Sequence, residues 1–241
     1  FLLRISTTAG VPTPGWSISQ VLAGGDHVTV NAQLHAGARV LMTSPSANRV
    51  YRTVSEPAVQ EVRLSIASGA RLEWLPEVTI PFAGFRFRQS IHADLAPGAT
   101  VVLWDAMASL RIAMRERWAF AGVENEICLR TASGDSVVER FQVTPEMVGK
   151  LAAEWNHVAS WCVIGDGIES GMLKRLKDAT VDLLGRRPGE VFGGVSEPSA
   201  PGLAIKLVAR SAAGLTEVVE SLAAVVRAEL WGLSPAVIRR Y

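Results

Sequence analysis

Five carboxylates stand where short apolar runs end: Asp26, Glu73, Glu77, Asp105 and Glu116. Asp26 closes Gly24-Gly25-Asp26, and Glu73 and Glu77 sit in Leu72-Glu73-Trp74-Leu75-Pro76-Glu77. Asp105 follows Trp104, with Glu116 a short way on. Thr43, Ser44 and Tyr51 add neutral oxygens in the polar stretch 43–52. Oxygen donors of this kind suit hard or borderline divalent cations and hold them weakly, because no thiolate is at hand to trap the ion. The same acids can be surface groups paired with Arg49, Arg52 or Arg71 beside aromatic core anchors. On the residues alone that plainer reading is favoured over a cation path.

Other chemistry finds little support. The histidines, His27, His35, His92 and His157, have no metal-ligand spacing with one another or with a cysteine. His35 and His92 fall at polar positions of alternating runs, as surface histidines do. There is no Gly-x-Ser-x-Gly elbow, Walker loop or His-Glu-x-x-His. Gly165-Asp166-Gly167-Ile168-Glu169-Ser170-Gly171 has nucleotide-like glycine spacing. The segment before it reads as a helix end, and Asp166 would repel a phosphate at the following helix start. A tight inter-helix turn is the better reading.

The elements that must position the acids come from a repeat. Val28, Val30, Ala32 and Leu34 alternate with polar residues, then Gly37-Ala38 leads into Val40-Leu41-Met42. Val62, Leu64 and Ile66 do the same before Gly69-Ala70 and Leu72, Trp74; Ile91, Ala93 and Leu95 before Gly98-Ala99 and 101–104. Period-two alternation gives half-buried strands, and the fixed Gly-Ala gives a turn that needs a permissive backbone. A repeat of about thirty residues predicts a mainly β, stacked, solenoid-like body. Equivalent strand ends in such a stack line one edge or channel.

Ser133-Gly134-Asp135 separates two β-rich runs and predicts a hairpin. At Thr144-Pro145-Glu146 the pattern changes to a helix start, with Met147, Val148, Leu151, Trp155, Val158 and Ala159 at helical spacing. A second helix is expected from about Ile168 to Leu184 with Gly185 capping it, then a Pro/Gly-rich connector over 186–202. A strand over 203–209 and a third helix from Leu215 to Leu230, opened by Thr216 or the Gly before it, complete the chain. We read one domain over 1–241: a β-rich body over 1–145, then helices and a returning strand over 146–241.

Lys and Arg number 24 against 23 Asp and Glu, which gives no electrostatic case for nucleic acid. The basic run Arg111, Arg115 and Arg117 reads as a solvated face. Cys128 and Cys162 both lie in apolar contexts, as buried free thiols in a reducing cytoplasm do. No apolar stretch reaches bilayer length. The chain opens at Phe1 rather than Met, which allows for sequence or a cleaved targeting segment ahead of it.

These segments together resemble the UreD family, called UreH in some bacteria. The resemblance rests on Gly24-Gly25-Asp26, residues 43–52, Leu72 to Glu77 through Ile80 and Phe82, Leu95-Ala96-Pro97-Gly98-Ala99 with Trp104-Asp105, Glu139-Arg140, and Pro201 to Lys206. It spans about residues 20–240. It departs where the family usually has Gln-Glu after Trp-Leu-Pro, here Glu77-Val78, and at Arg115-Glu116 and the ending Pro235 to Arg239. The resemblance implies a non-enzymatic scaffold for urease maturation that binds apo-urease and, through UreF, joins the GTPase UreG. It implies no tightly bound cofactor and transient Ni²⁺ passing through the body. Asp26, Glu73, Glu77, Asp105 and Glu116, or some subset, are then the candidate path, with Thr43, Ser44 and Tyr51 beside it. A cytoplasmic protein is expected. A divergent β-scaffold serving another metalloenzyme or complex is the alternative.

Overall fold

The computed structural model describes residues 2–7, 16–17, 21–53, 55–109, 117–144, 146–147 and 155–236. Its first half is a stack of β-coils. The inner run of each repeat forms one wall: β4 (His27–Leu34), β7 (Ala58–Ile66) and β10 (Arg86–Leu95). The run after each Gly-Ala turn forms a second wall: β5 (Arg39–Thr43), β8 (Arg71–Leu75) and β11 (Thr100–Ala108). Neighbouring coils pair in parallel in both walls. Short strands β3 (Val21–Leu22), β6 (Asn48–Val50) and β9 (Thr79–Pro81) form a narrow third side.

The turns explain the repeat. Gly37, Gly69 and Gly98 all have φ near +70°, a conformation that costs glycine nothing. The turns stack, with Gly37 N–H donating to Ser68 O at 3.0 Å and Gly69 N–H to Pro97 O at 3.2 Å. Ala38, Ala70 and Ala99 are buried beneath them, where a larger side chain would hold the coils apart.

The first sheet runs β1-β4-β7-β10-β12-β13, where β1 is Leu2–Thr7, β12 is Gly122–Arg130 and β13 is Ser136–Val143. β12 and β13 form the expected antiparallel hairpin. The second sheet runs β15-β16-β14-β11-β8-β5-β2, where β2 is Trp16–Ser17, β14 is His157–Gly165, β15 is Val191–Ser196 and β16 is Gly202–Ala209. Helices α1 (Ser170–Gly185) and α2 (Ala212–Trp231) pack together over its far face.

There are thus two cores. One lies between the sheets and takes Val30, Leu64, Ile91, Leu103 and Ile127. The other lies between the second sheet and the helices and takes Val102, Trp104, Trp161, Leu203, Ile205 and Leu222. The first sheet has one wet face and so alternates in sequence. The second is covered on both faces and reads as continuous apolar runs.

That double cover accounts for the largest departure from expectation. Val158 and Ala159 are not helical; they lie in β14, antiparallel to β11, with Trp104 opposite Trp161. Residues 161–164 are likewise strand and not a helix end. A strand buried on both faces has no alternation to distinguish it from a buried helix. Glu146 and Met147 are helical, whereas Pro145, Val148 and Leu151 lie outside the described residues. The expected connector over 186–202 contains strand β15 at the sheet edge, where Gly193 and Gly194 weakened the strand signal.

Helix ends differ too. α2 begins at Ala212, capped by Ser211, whose Oγ accepts from Gly214 N–H at 3.0 Å. Gly185 is the last residue of α1, and the cap is Arg186 in a right-handed conformation. Cys162 is buried, but Cys128 is only half-buried, on the outer face of the first sheet. Of the basic run, Arg117 is exposed, and Arg111 and Arg115 fall outside the described residues.

Candidate functional site: a polar layer between the sheets

The inward faces of β4, β7, β10 and β12 are apolar except at one level. Gln60 of β7 pairs with Gln89 of β10, and Gln89 with Asn125 of β12, so three amides stand side by side across three strands. All three are buried. Asn48 of β6 extends the row, donating to Gln60 Oε1 at 3.3 Å. Asp105 of β11 faces the row from the other sheet. Its Oδ1 accepts from Gln89 Nε2 at 2.9 Å and its Oδ2 from Asn125 Nδ2 at 2.8 Å. Gln89 also donates to Asn125 Oδ1 at 3.2 Å.

Asp105 is half-buried, and its carboxylate lines two small cavities between the sheets. Burial pushes its pKa up; the Gln89 and Asn125 hydrogen bonds pull the other way. Glu139 pushes in the same direction as burial, and Lys206 opposes it. Those two residues continue the layer. Asp105 pairs in register with Ser160 of β14, and Ser160 with Lys206 of β16. Residues directly opposite on paired strands share a face. Ser160 Oγ donates to Glu139 Oε1 at 2.7 Å, and Lys206 Nζ also donates to that oxygen.

A cavity of ≈ 30 Å³ opens beside the amide row, lined by Thr43, Ser44, Asn48, Gln60, Trp74, Glu77, Gln89 and Asp105 among others. Thr43 Oγ1, Asn48 Oδ1 and Trp74 Nε1 are buried there without a hydrogen-bond partner. Orphaned polar atoms around a cavity this size call for ordered water. A second cavity of ≈ 20 Å³ shares Gln89 and Asp105 with the first, along with Thr79, and reaches Asn125 and Phe141. On the other side, Pro76 and Glu77 also line a pocket of ≈ 50 Å³ beneath α2, with His157, Thr216 and Glu220. Beyond Glu139 and Lys206 lies an open groove of ≈ 700 Å³ between β13 and the β15–β16 edge. Polar groups therefore run from beneath α2, past Glu77 and Asp105, to Lys206.

Of the expected path residues, the structure brings Glu77, Asp105, Thr43 and Ser44 to one cavity. Ser44 Oγ accepts from Glu77 N–H at 2.7 Å, which pins the loop after β8. Glu73 lies elsewhere. It pairs in register with Val102, on the face of the sheet that α2 covers, and its carboxylate accepts from Arg227 at 2.5 Å. Asp26 is in an exposed turn, where its Oδ2 accepts from Ala23 N–H at 2.7 Å. Tyr51 is exposed and stacks on Phe82, ring centres 4.5 Å apart. Glu116 lies outside the described residues.

Sequence reasoning missed Gln60, Gln89, Asn125 and Ser160, and used Glu139 and Lys206 only for their resemblance. The signal was there for the amides. Two residues before Val62, Ile91 and Ile127 along the inward phase stand Gln60, Gln89 and Asn125.

Among the described residues no three His, Cys, Asp or Glu side chains stand close enough to close on an ion. Cys162 faces the same interior, but burial pushes its thiol pKa up to about 12, so it stays protonated and a poor ligand. His157 is buried and neutral, its pKa lowered by burial. The layer therefore offers oxygen donors without a cluster of three His, Cys, Asp or Glu among the described residues.

Stacked parallel coils closed by a second, mixed sheet, with a layer of oxygen donors between the walls, define a β-solenoid-like class of protein. The family model described as UreD urease accessory protein matches residues 19–240. A urease accessory protein UreD of Deinococcus radiodurans is 34% identical over 221 residues, 90% of this chain and 76% of that protein. One from Leptothrix cholodnii is 29% identical over 225 residues, covering 90% and 79%. One from Methylibium petroleiphilum is 40% identical over 112 residues, 46% of this chain and 38% of its own length. The chain belongs to the UreD family of urease accessory proteins.

Proposed function

We propose that this chain is a non-catalytic maturation scaffold that binds apo-urease and passes Ni²⁺ toward its active site. It does so with a UreF-like partner and, through that partner, the GTPase UreG. The observation that carries the transit part is Asp105: a carboxylate between two sheets, held by neutral amides, on a file of cavities that reaches both faces of the second sheet. A fold gains no stability from a buried carboxylate held only by neutral groups, since burial disfavours its charge.

Each donor along the file offers oxygen alone, which suits an ion that must be released again. Cavities of ≈ 30 and ≈ 20 Å³ hold a water or two, not a fully hydrated ion. Transit therefore exchanges water ligands for Asp105, amide and hydroxyl oxygens one at a time, with the lining side chains moving. Glu77 stands at the junction of the pocket under α2 and the inner cavity, and Thr43 and Ser44 flank it. No helix among the described residues is long and apolar enough to cross a membrane, and the reading places the chain in the cytoplasm beside its client. The body and its helices act as one domain, because β14 and β16 complete the sheet that the coils begin.

The test is Asp105→Asn and Glu77→Gln, each checked for folding and for assembly with the partners and apo-urease. The expected result is normal assembly with reduced nickel content in the matured urease. Normal nickel content in both variants removes the transit reading.

A further inference from the structure

Lys206 stands at the outer end of the polar layer. Its ammonium donates to Glu139 Oε1 and to Ser160 Oγ, the latter at 2.9 Å, and lies 4.8 Å from the centre of the Phe141 ring. Ser160 completes the triangle by donating to the same Glu139 oxygen. Asp105, beside Ser160 in the register, senses both Glu139 and Lys206. A carboxylate, a hydroxyl and an aromatic face around one positive charge make a cation site. Here the occupant is part of the chain.

We infer that Lys206 is a tethered counter-ion: it fills the outer cation position of the layer and must swing aside for a divalent ion to pass. The inference rests on the transit reading and assigns the release step to one side chain. Room for the swing exists. Gly194 is directly opposite Lys206 on β15, and no atom lies within 4 Å of where its Cβ would be. The groove lined by Gly194, Ser196 and Lys206 opens on that side. The Lys206 side chain is half-exposed, so its flexible four-carbon stem can turn outward without disturbing the core.

The electrostatics give the device its sense. With Lys206 in place, Asp105 and Glu139 present a net charge of about −1 to an arriving ion, and without it about −2. The lysine therefore weakens the site and, by returning to Glu139, helps to displace the ion. A lysine that only stabilised the fold would leave the affinity of the chain for divalent ions unchanged.

The experiment is titration of the full chain with NiCl₂, with folding checked by circular dichroism. Lys206→Met should tighten Ni²⁺ binding roughly threefold to tenfold, the size expected for losing one partly screened charge beside the site. Lys206→Arg, which keeps the charge, should bind like the wild type. In Lys206→Met/Glu139→Gln the gain should vanish. The inference is overturned if Lys206→Met binds Ni²⁺ no more tightly than wild type, if it shows no binding, or if the gain survives the Glu139 substitution. The two readings separate cleanly. Reduced urease nickel in Asp105→Asn with unchanged affinity in Lys206→Met sinks the counter-ion alone. Tighter binding in Lys206→Met with normal urease nickel in both Asp105→Asn and Glu77→Gln sinks the passage instead.

Discussion

Glu73 and Asp105 lie on adjacent strands of one sheet and face opposite layers. Glu73 pairs with Val102, three residues before Asp105, so the pleat turns Glu73 toward α2 and Asp105 toward the first sheet. Two acids that look alike in sequence therefore do different work.

Glu73 fastens α2. Its ion pair with Arg227 joins residues 154 apart and is nearly buried. Burial raises the Glu73 pKa more than Arg227 lowers it. Removing one partner strands the other's charge, so Glu73→Ala should cost about 3 kcal/mol in urea denaturation. Glu73→Met combined with Arg227→Met should regain most of that loss. Urease matured with this double variant should contain wild-type nickel.

Gln89 supports Asp105. Gln89→Leu removes the donor to Oδ1 and should cost about 1–3 kcal/mol. It should also push the Asp105 pKa higher still, read by carbon NMR of the labelled carboxyl. The sign for stability follows. The folded pKa of Asp105 is above its unfolded value, so its contribution is full below the ordinary range and is lost as pH rises through the folded value. Relative to Asp105→Asn, the wild type should lose stability over that rise.

His157 works the other way. Its folded pKa lies below the ordinary 6.5, because the ring is buried. The unfolded chain binds the proton first, so stability is full above pH 6.5 and falls as pH drops toward the folded value. His157→Gln should flatten that part of the melting-temperature profile, measured by scanning calorimetry between about pH 5 and 7.

Two glycines with positive φ should respond differently. Gly202 has φ +148°, and an added Cβ would run into the Val163 carbonyl. Gly202→Ala should cost more than about 3 kcal/mol or prevent folding. Gly134, at φ +90° in the hairpin turn, has open space around it. Gly134→Ala should cost only about 1 kcal/mol, the backbone penalty alone. Denaturant midpoints of the two variants check the contrast.

The coils were legible because each has one wet face. Val62, Leu64 and Ile66 sit inward and Arg63 and Ser65 outward, and the Gly-Ala turn recurs in phase. β14 was not legible, since Ser160, Trp161, Cys162 and Val163 are all buried and no exposed polar residue marks the pleat. At the site, Asp105 and Glu77 were visible as acids beside apolar runs, although Asp105 and Glu73 stand within β11 and β8 rather than at their ends. Whether an acid within a strand faces in or out depends on pairing register, so Glu73 could not be told from Asp105. Lys206 and Glu139 are 67 residues apart and meet only because β16 returns beside β14.

The double cover of the second sheet also orders events during synthesis. The coils emerge from the ribosome first, and their Gly-Ala turns can stack as they appear. Leu75, Val102, Trp104 and Ala106 then form an oily face with nothing over it until α1 and α2 have been made. β11 meanwhile waits for β14 to arrive and claim its open edge. A nascent chain halted near residue 145 would be sticky on one broad side, a natural client for ribosome-associated chaperones and a poor choice of fragment for expression.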